Sequence, residues 1–455
     1  MQAVPGGADN MQDIYPLSPL QEGILFHHLL NEQGGSTYVS STLLSVSSRE
    51  RLEELTAALQ WVIDRHDILR TAVLWEQLPR PVQVVCRKVH LPVEDISLDR
   101  EPAEQLEEWI KPDWQRMDLR QAPLMRLKVA ADAHRRQWYA LLQIHHIIDD
   151  DASLKILISE IVAHLQGRAG ELPEPVAYRG HVAEALAQAR TQEAEAFFRS
   201  QLGEIDEPTA PFGLLDVHGD GNRNEEARKE FEPALAQRVR VQAQRLSVSV
   251  ATLFHVAWAL VVARTSGRDD VVFGSVLFGR LQGSAGAQRI VGMFINTLPL
   301  RLRLHNVTAR ELVQQTQRGL VKLLSHEQAS LAVAQRCSGM VGSAPLFSAV
   351  LNYRHAVMDR GAEWTSADGF RGHPVPGTMN RGYCDRPRKM SCEGTGSRTP
   401  GEKYFFTRYD SEAQRSWLEI RQKWMESDKV LKMEKGDRLA EHWDTPTGGN
   451  GTCLA

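Results

Sequence analysis

QIHHIIDDDAS, residues 143–153, places two adjacent histidines at the end of an apolar run and follows them with three aspartates. The run before it, QWYALLQIHH, reads as a β-strand. The run after it, ASLKILISEIVAHLQGR, has helical spacing and a glycine stop at Gly167. The cluster therefore lies on a strand-to-helix turn. Such a cluster has three readings: metal ligation, proton transfer, or a polar strand end. Adjacent strand residues point to opposite faces, so the two histidines do not converge on one ion, and the metal reading is set aside. An imidazole titrates near neutrality and suits proton transfer. A histidine pair standing alone at a strand end is nonetheless more often structural, so the turn by itself leaves these two readings open.

Working outward, the chain alternates helices and strands on both sides of the turn. PLQEGILFHHLLNEQGG reads as a helix. RERLEELTAALQWVIDRHDILRT carries Leu52, Leu55, Leu59, Val62 and Ile63 at helical spacing, the pattern of an amphipathic helix. TAVLWE, PVQVVC and LMRLKVAAD read as strands. The proline-rich ELPEPVAYRG (171–180) marks a boundary between two lobes. Beyond it, LAQRVRVQAQRLSVSVATLFHVAWALVVART reads as mostly helical, and DVVFGSVLFG and INTLPLRLRL as strands. TARELVQQTQRGLVKLLSHEQAS reads as a helix with Thr308 as N-cap, and PLFSAVLNYRH as a last strand. The expected organisation is a leader over 1–12, one lobe over 13–175, a second over 176–360, and a tail over 361–455.

Composition narrows the function classes. The chain has 455 residues, 42% of them hydrophobic, and a net charge of −4, which does not suggest nucleic acid or an acidic membrane as partner. Its longest apolar runs, such as FHVAWALVVA (254–263), are well short of a bilayer span. No basic region precedes an apolar core at the N-terminus, and the five cysteines include no CxxC pair. A cytoplasmic, reducing setting is the expectation. Cys384 and Cys392, with His373 upstream, match no zinc spacing.

Several segments together carry a family resemblance. His145-His146-Ile147-Ile148-Asp149-Asp150 fits the HHxxxD pattern of the condensation domains of nonribosomal peptide synthetases. YPLSPLQEGILFHHL (15–29) and RHDILRT (65–71) resemble that family's first two motifs. VGMFINTLPLRL (291–302) resembles its IGxFVNT motif, LNYRH (351–355) its NYRHS motif, and DEPTAPFGLLDV (206–217) is also similar. These stand in the family's order over about 340 residues. The resemblance implies an α/β fold of two chloramphenicol-acetyltransferase-like lobes in a V, with the site in a tunnel between them. His27-His28-Leu29-Leu30, followed at a distance by Gly34-Gly35, resembles the HH[IL]xxxxGD motif of the dual epimerization/condensation subtype, with Gly35 in place of Asp. Asp151 stands where the ordinary family has glycine, which leans the same way.

The implied reaction is amide formation between a donor aminoacyl or peptidyl thioester and an acceptor amine. Each is carried on the 4′-phosphopantetheine of a carrier domain, and no cofactor is bound by the chain itself. His146 is then the catalytic histidine and His145 its packed neighbour. The resemblance gives Asp150 a salt bridge to an arginine; of Arg65 and Arg70 in RHDILR, Arg65 is favoured. Asp149 and Asp151 are expected as a charge cluster at the helix N-terminus. His27 and His28 either flank a helix surface or support inversion at the donor Cα. Asn296 is a structural or tunnel-lining contact. Tyr353 and Arg354 are core or strand-end residues.

After His355 the pattern breaks. Residues 361–455 contain about seven Val, Ile or Leu, too few for a packed core, and are expected to be poorly ordered. A second lobe without its final strands would leave an open sheet edge. No adenylation region or GGxS carrier motif is present, so carrier proteins are expected in trans. The alternative is a truncated, non-catalytic remnant that at most binds carrier domains. A coenzyme A-dependent acyltransferase would share HHxxxD but not the SPLQEG and NYRH segments.

Overall fold

A computed structural model describes residues 6–30, 38–98, 105, 116–132, 134–189, 192–215, 226–280, 286–341, 344–354, 364, 367–373 and 391–395. The first half contains β1 (Met11–Pro16), α1 (Pro19–Leu30), β2 (Val39–Val46), α2 (Arg49–Arg65), β3 (Thr71–Leu74), β4 (Val82–Cys86), β5 (Val93–Asp95), β6 (Met125–Asp132), β7 (Gln137–His145), α3 (Asp151–Leu165) and α4 (Arg179–Ala189). The second contains α5 (Gln192–Leu202), β8 (Glu226–Glu230), α6 (Pro233–Arg245), α7 (Val250–Ser266), β9 (Asp270–Leu277), β10 (Asn296–Arg303), α8 (Ala309–Leu324), α9 (Leu331–Arg336) and β11 (Val350–Leu351). β12 (Phe370–His373) and β13 (Ser391–Thr395) follow.

Among the described residues two large hydrophobic cores result, beside a small cluster of Leu43, Tyr139 and Leu141. In the first, β7 runs antiparallel between β2 and β6 in a five-stranded sheet of order β12-β2-β7-β6-β5. The predicted stripe of α2, Leu52, Leu55, Leu59, Val62 and Ile63, is buried together with Leu154, Leu157, Ile158 and Ile161 of α3. Each such side chain contributes about 1.5–3 kcal/mol relative to exposure. α3 closes as expected: Gly167 takes φ 71°, its N–H reaches His164 O, and the N–H of Arg168 reaches Ala163 O. In the second core, α7 and α8 pack Val256, Ala259, Leu312 and Leu323 around Phe273 of β9 and Leu298 and Leu300 of β10. The sheet there has order β10-β9-β11 among the described residues, with β11 parallel to β9. Thr308 forms a full capping box with Glu311, so Thr308→Ala is expected to cost about 1 kcal/mol in chemical denaturation.

Two expectations, for the leader and for the tail, need correction, and two elements are newly defined. β2 was not apparent in the sequence. Ser40, Ser41 and Thr42 are buried in it because the strand lies inside the sheet, so it lacks the polar-out alternation of a half-exposed strand. The long helical run around 234–265 is two helices: Ser247 takes φ 53°, and Ser249 caps α7 by accepting from Thr252 N–H. The leader ends earlier than residue 12, since Met11 already pairs with Cys86. The tail boundary at 361 is also overturned. Trp364 is fully buried in the first core with Ala367 and Phe370, and β12 pairs antiparallel with β2.

The physical reason for the last correction is local. One indole and one phenyl ring bury much apolar area, and β2 offers an edge of unpaired backbone groups. Composition averaged over the whole tail hides both. Trp364→Phe is expected to lower stability by on the order of 2 kcal/mol, read from denaturant midpoints, although it lies outside the segment expected to fold. β13 pairs antiparallel with β8. The other tail residues, including Trp417, Trp424, Trp443 and Cys384, lie outside the described residues, as do Gly34, Gly35 and His355.

Candidate active site at the strand-to-helix turn

The register of the first sheet places His145 opposite Val39 at the end of β7. His145 is fully buried, and its Nδ1 accepts from Ile147 N–H at 3.1 Å, so this ring shapes the turn. The backbone N–H of His146 donates to Tyr38 O at 2.7 Å. The His146 side chain is nearly buried. Its Nδ1 lies 3.2 Å from Asp149 Oδ1 and 3.4 Å from the Asp149 carbonyl oxygen. With acceptors at that nitrogen, the neutral ring carries its proton on Nδ1 and presents a lone pair at Nε2. Nε2 is buried and makes no hydrogen bond among the described residues. Asp149 is thus turned toward His146 and is not a plain member of a helix charge cluster.

Asp150 is the N-cap of α3 and the most heavily bonded group of the turn. Its Oδ1 accepts from Ser153 N–H at 2.8 Å and from the Arg280 guanidinium at 2.9 Å; Oδ2 accepts from Phe294 N–H at 3.1 Å. Both side chains of the ion pair are essentially unexposed. Arg280 also donates to Ala287 O at 2.8 Å and Ile290 O at 2.7 Å, and lies 3.9 Å from the centroid of the Phe294 ring. Ser153 Oγ accepts from Gly292 N–H at 2.9 Å. Close approach at this node demands small residues: a Cβ on Gly279 would fall 1.8 Å from Phe294 O.

The partner expected for Asp150 is therefore corrected. Arg65 donates instead to Glu160 at 3.0 Å, where His66 also meets the same carboxylate at 2.8 Å, tying α2 to α3. Arg70 donates to Gln12 at 2.6 Å and to the carbonyl of Cys86. An arginine that follows a strand 130 positions away has no local signature; only the sequence stretch FGR after that strand hints at it. Two further supports were missed. One is Ser153. The other is the fully buried Gln21, whose amide donates to Ile147 O at 2.8 Å and so reaches the histidine turn from α1. A glutamine inside an apolar helix was the available signal.

The remaining candidates separate. Asn296 holds a loop by donating to Glu327 O at 2.8 Å and Ala329 O at 2.7 Å, a structural role. Tyr353 packs on Phe254, with ring centroids 5.3 Å apart. His27 stacks on Tyr38, whereas His28 meets His145 edge-on at 5.9 Å. Burial, reinforced by Arg116 and opposed by Asp118, pushes His28 down to about 4. Among the described residues no three His, Cys, Asp or Glu side chains cluster to hold a metal, and no single helix is long and apolar enough to cross a membrane.

A condensation-domain family model matches residues 11–370, spanning both cores and β12's first residue. The chain belongs to the condensation-domain family. It is 46% identical over 358 residues to malpinin synthetase of Mortierella alpina, covering 78% of this chain and 5% of that protein. It is 34% identical over 366 residues to a linear gramicidin synthase of Brevibacillus parabrevis, covering 76% and 5%. The chain thus spans about one-twentieth of the curated relatives it matches. The condensation domain of the monacolin K polyketide synthase shares its fold at a TM-score of 0.72, with 18% identity, over 94% of this chain and 99% of that one.

Two buried histidines lead to the expectation that this condensation domain loses stability in acid. Desolvation pushes His255 of α7 down to about 4, partly opposed by its bond to Ala251 O; His181 is pushed to about 4 by desolvation and by Arg280. A folded value below the unfolded one near 6.5 means the unfolded chain binds more protons between the two. Stability is therefore full above about pH 6.5 and falls as pH drops toward 4. His255 alone accounts for a loss on the order of 3 kcal/mol. Denaturant midpoints across this window are expected to drop, and His255→Gln to flatten the slope.

Proposed function

We propose that this chain joins a donor aminoacyl or peptidyl thioester to an acceptor amine, both presented on the phosphopantetheine arms of carrier domains. The observation that carries this reading is the buried His146 ring, with Nδ1 held at Asp149 and Nε2 left as a lone pair. A thioester is already activated, so the protein's task is to hold two reactants together and to handle one proton. The amine nitrogen attacks the thioester carbonyl, and the carbonyl π electrons move onto oxygen. Nε2 accepts the proton from nitrogen. Collapse of the tetrahedral intermediate expels the pantetheine sulfur, which takes the proton back as a thiol. The Asp150–Arg280 node keeps the turn rigid while this occurs. That assembled node favours an active domain over a non-catalytic remnant. Mixing the purified chain with two loaded carrier proteins and detecting the amide by mass spectrometry tests the reading. No product with any acyl pair accepted by the relatives' carriers would favour the remnant.

Epimerization of the donor is a second reading, supported by the placement of His28 against His145, which brings the second histidine motif to the first. Its low value keeps His28 neutral at physiological pH, although such an imidazole is a weak base. An L-configured donor should then yield inverted product carrying solvent deuterium at Cα. Retained configuration without exchange reduces the activity to condensation alone.

A further inference from the structure

We propose that Gln21 and Gln83 form a buried positioning clamp for His146, holding its ring in place through the backbone of Ile147. Both glutamines are fully buried. Their amides face each other: Gln21 Nε2 donates to Gln83 Oε1 at 2.9 Å, and Gln83 Nε2 donates to Gln21 Oε1 at 3.0 Å. The second N–H of Gln21 goes to Ile147 O at 2.8 Å, and that of Gln83 to Pro16 O at 3.0 Å. Gln21 Oε1 also accepts from Ser18 N–H at 2.9 Å. All N–H groups of the two amides are thus committed, and their backbone neighbours allow each amide only one orientation. A buried polar network satisfied in this way is rigid.

The pair bridges two sheets of the first lobe. Gln83 lies on β4, the middle strand of the sheet of order β1-β4-β3, whereas Ile147 follows β7 of the five-stranded sheet. The other backbone group of Ile147 is also taken by a side chain, since its N–H donates to His145 Nδ1. Ile147 is therefore gripped on both sides, between His146 and the Asp149 that faces its ring. A shift of this carbonyl turns the peptide that follows His146, and Nε2 moves with it. Helix capping alone does not account for the arrangement. Ser18 and Gln21 do pair reciprocally at the start of α1, with Gln21 N–H directed at Ser18 Oγ at 3.4 Å, the pattern of a capping box. Capping uses only the side-chain oxygen of Gln21, yet both N–H groups of its amide turn inward, one to Gln83 and one to the histidine turn. A glutamine buried on β4 costs desolvation that an apolar side chain would avoid, and its bonds offset that cost only while the pair stays closed. The clamp rests on the proton-accepting role given to His146, so its test reads the ring itself as well as turnover.

Magnetic resonance of the full chain with isotopically labelled histidine and glutamine side-chain nitrogens tests this, with the His146 signals assigned by their loss in His146→Ala. In the wild type, His146 should show a single neutral form protonated at Nδ1, and the side-chain amides of Gln21 and Gln83 should be protected from exchange with solvent. Gln21→Glu keeps the oxygen that completes the capping box and loses the amide nitrogen. Gln83→Met roughly keeps the volume and removes the partner amide. In both variants His146 should become a mixture of tautomers. The kcat for amide formation should fall about 10- to 100-fold with KM unchanged, as for a misplaced reacting group. Arg65→Met removes a bond between α2 and α3 away from the turn; it should lower the melting temperature and leave the His146 signals as they are. Unchanged His146 signals in both glutamine variants would overturn the clamp. So would rapid exchange of the two glutamine amides in the wild type, a measurement that stands even where a variant folds poorly. Altered signals with undiminished amide formation would uphold the clamp and overturn the proton-accepting role of His146 instead.

Discussion

His146→Ala is expected to lower the rate of amide formation between two carrier-bound substrates about 100- to 10,000-fold, the range ascribed to a positioned general base. The fold should survive. The ring is buried, but its hydrogen-bonding load is light: Nδ1 faces Asp149 and Nε2 bonds nothing among the described residues. The same change at His145 should behave in the opposite way. That ring is fully buried and accepts the Ile147 N–H, so its removal strands a backbone donor and loosens the turn, costing stability first and rate second. Single-turnover kinetics with pre-loaded carrier proteins, set beside melting temperatures, separate the two effects. Wild-type turnover by His146→Ala would remove the imidazole from the chemistry and leave positioning as the whole of catalysis.

How the site could be read from the sequence follows from the range of each interaction. The turn itself was legible, because a strand, a polar cluster and a helix with a glycine stop are local patterns. The burial of Leu52, Leu55, Leu59, Val62 and Ile63 was legible for the same reason: period alone fixes which residues share a face. Asp150 was recognised as one half of an ion pair, but its partner was not. Arg65 and Arg280 are both arginines near apolar runs, and only the tertiary path decides which one arrives. Arg65 is taken up by Glu160, a helix residue whose apolar neighbours hid it. β2 escaped notice because burial on both faces admits Ser and Thr where they find partners, as Ser40 does at Ile144 O. Trp364 and Phe370 escaped notice because a few aromatic anchors on an existing sheet edge need no aliphatic stripe of their own.

Asp150→Ala should cost about 3–5 kcal/mol of stability, the usual penalty for stranding one partner of a buried ion pair. The structure separates this loss into parts that experiment can resolve. Asp150 caps α3 through Ser153 N–H, worth about 1 kcal/mol. It also receives Phe294 N–H and neutralises Arg280, whose other donors are committed to the carbonyls of Ala287 and Ile290. Asp150→Asn keeps the oxygen that caps the helix and removes the charge, so its cost isolates the ionic part. Arg280→Met should be similarly damaging alone, because it leaves a carboxylate buried with only neutral donors. The combination Asp150→Asn with Arg280→Met should then cost clearly less than the sum of the two, as expected for groups in direct contact. Arg65→Met provides the control: it should add independently to Asp150→Asn, since Arg65 serves Glu160 on the outer part of α3. Additivity with Arg280 and coupling with Arg65, measured from denaturant midpoints of all six chains, would reverse the assignment. Coupling with Arg280 would mean that Arg280, Gly292 and Phe294 fold as one unit with the histidine turn, and that the rigidity of the site comes from the second half of the chain as much as from the helix Asp150 begins.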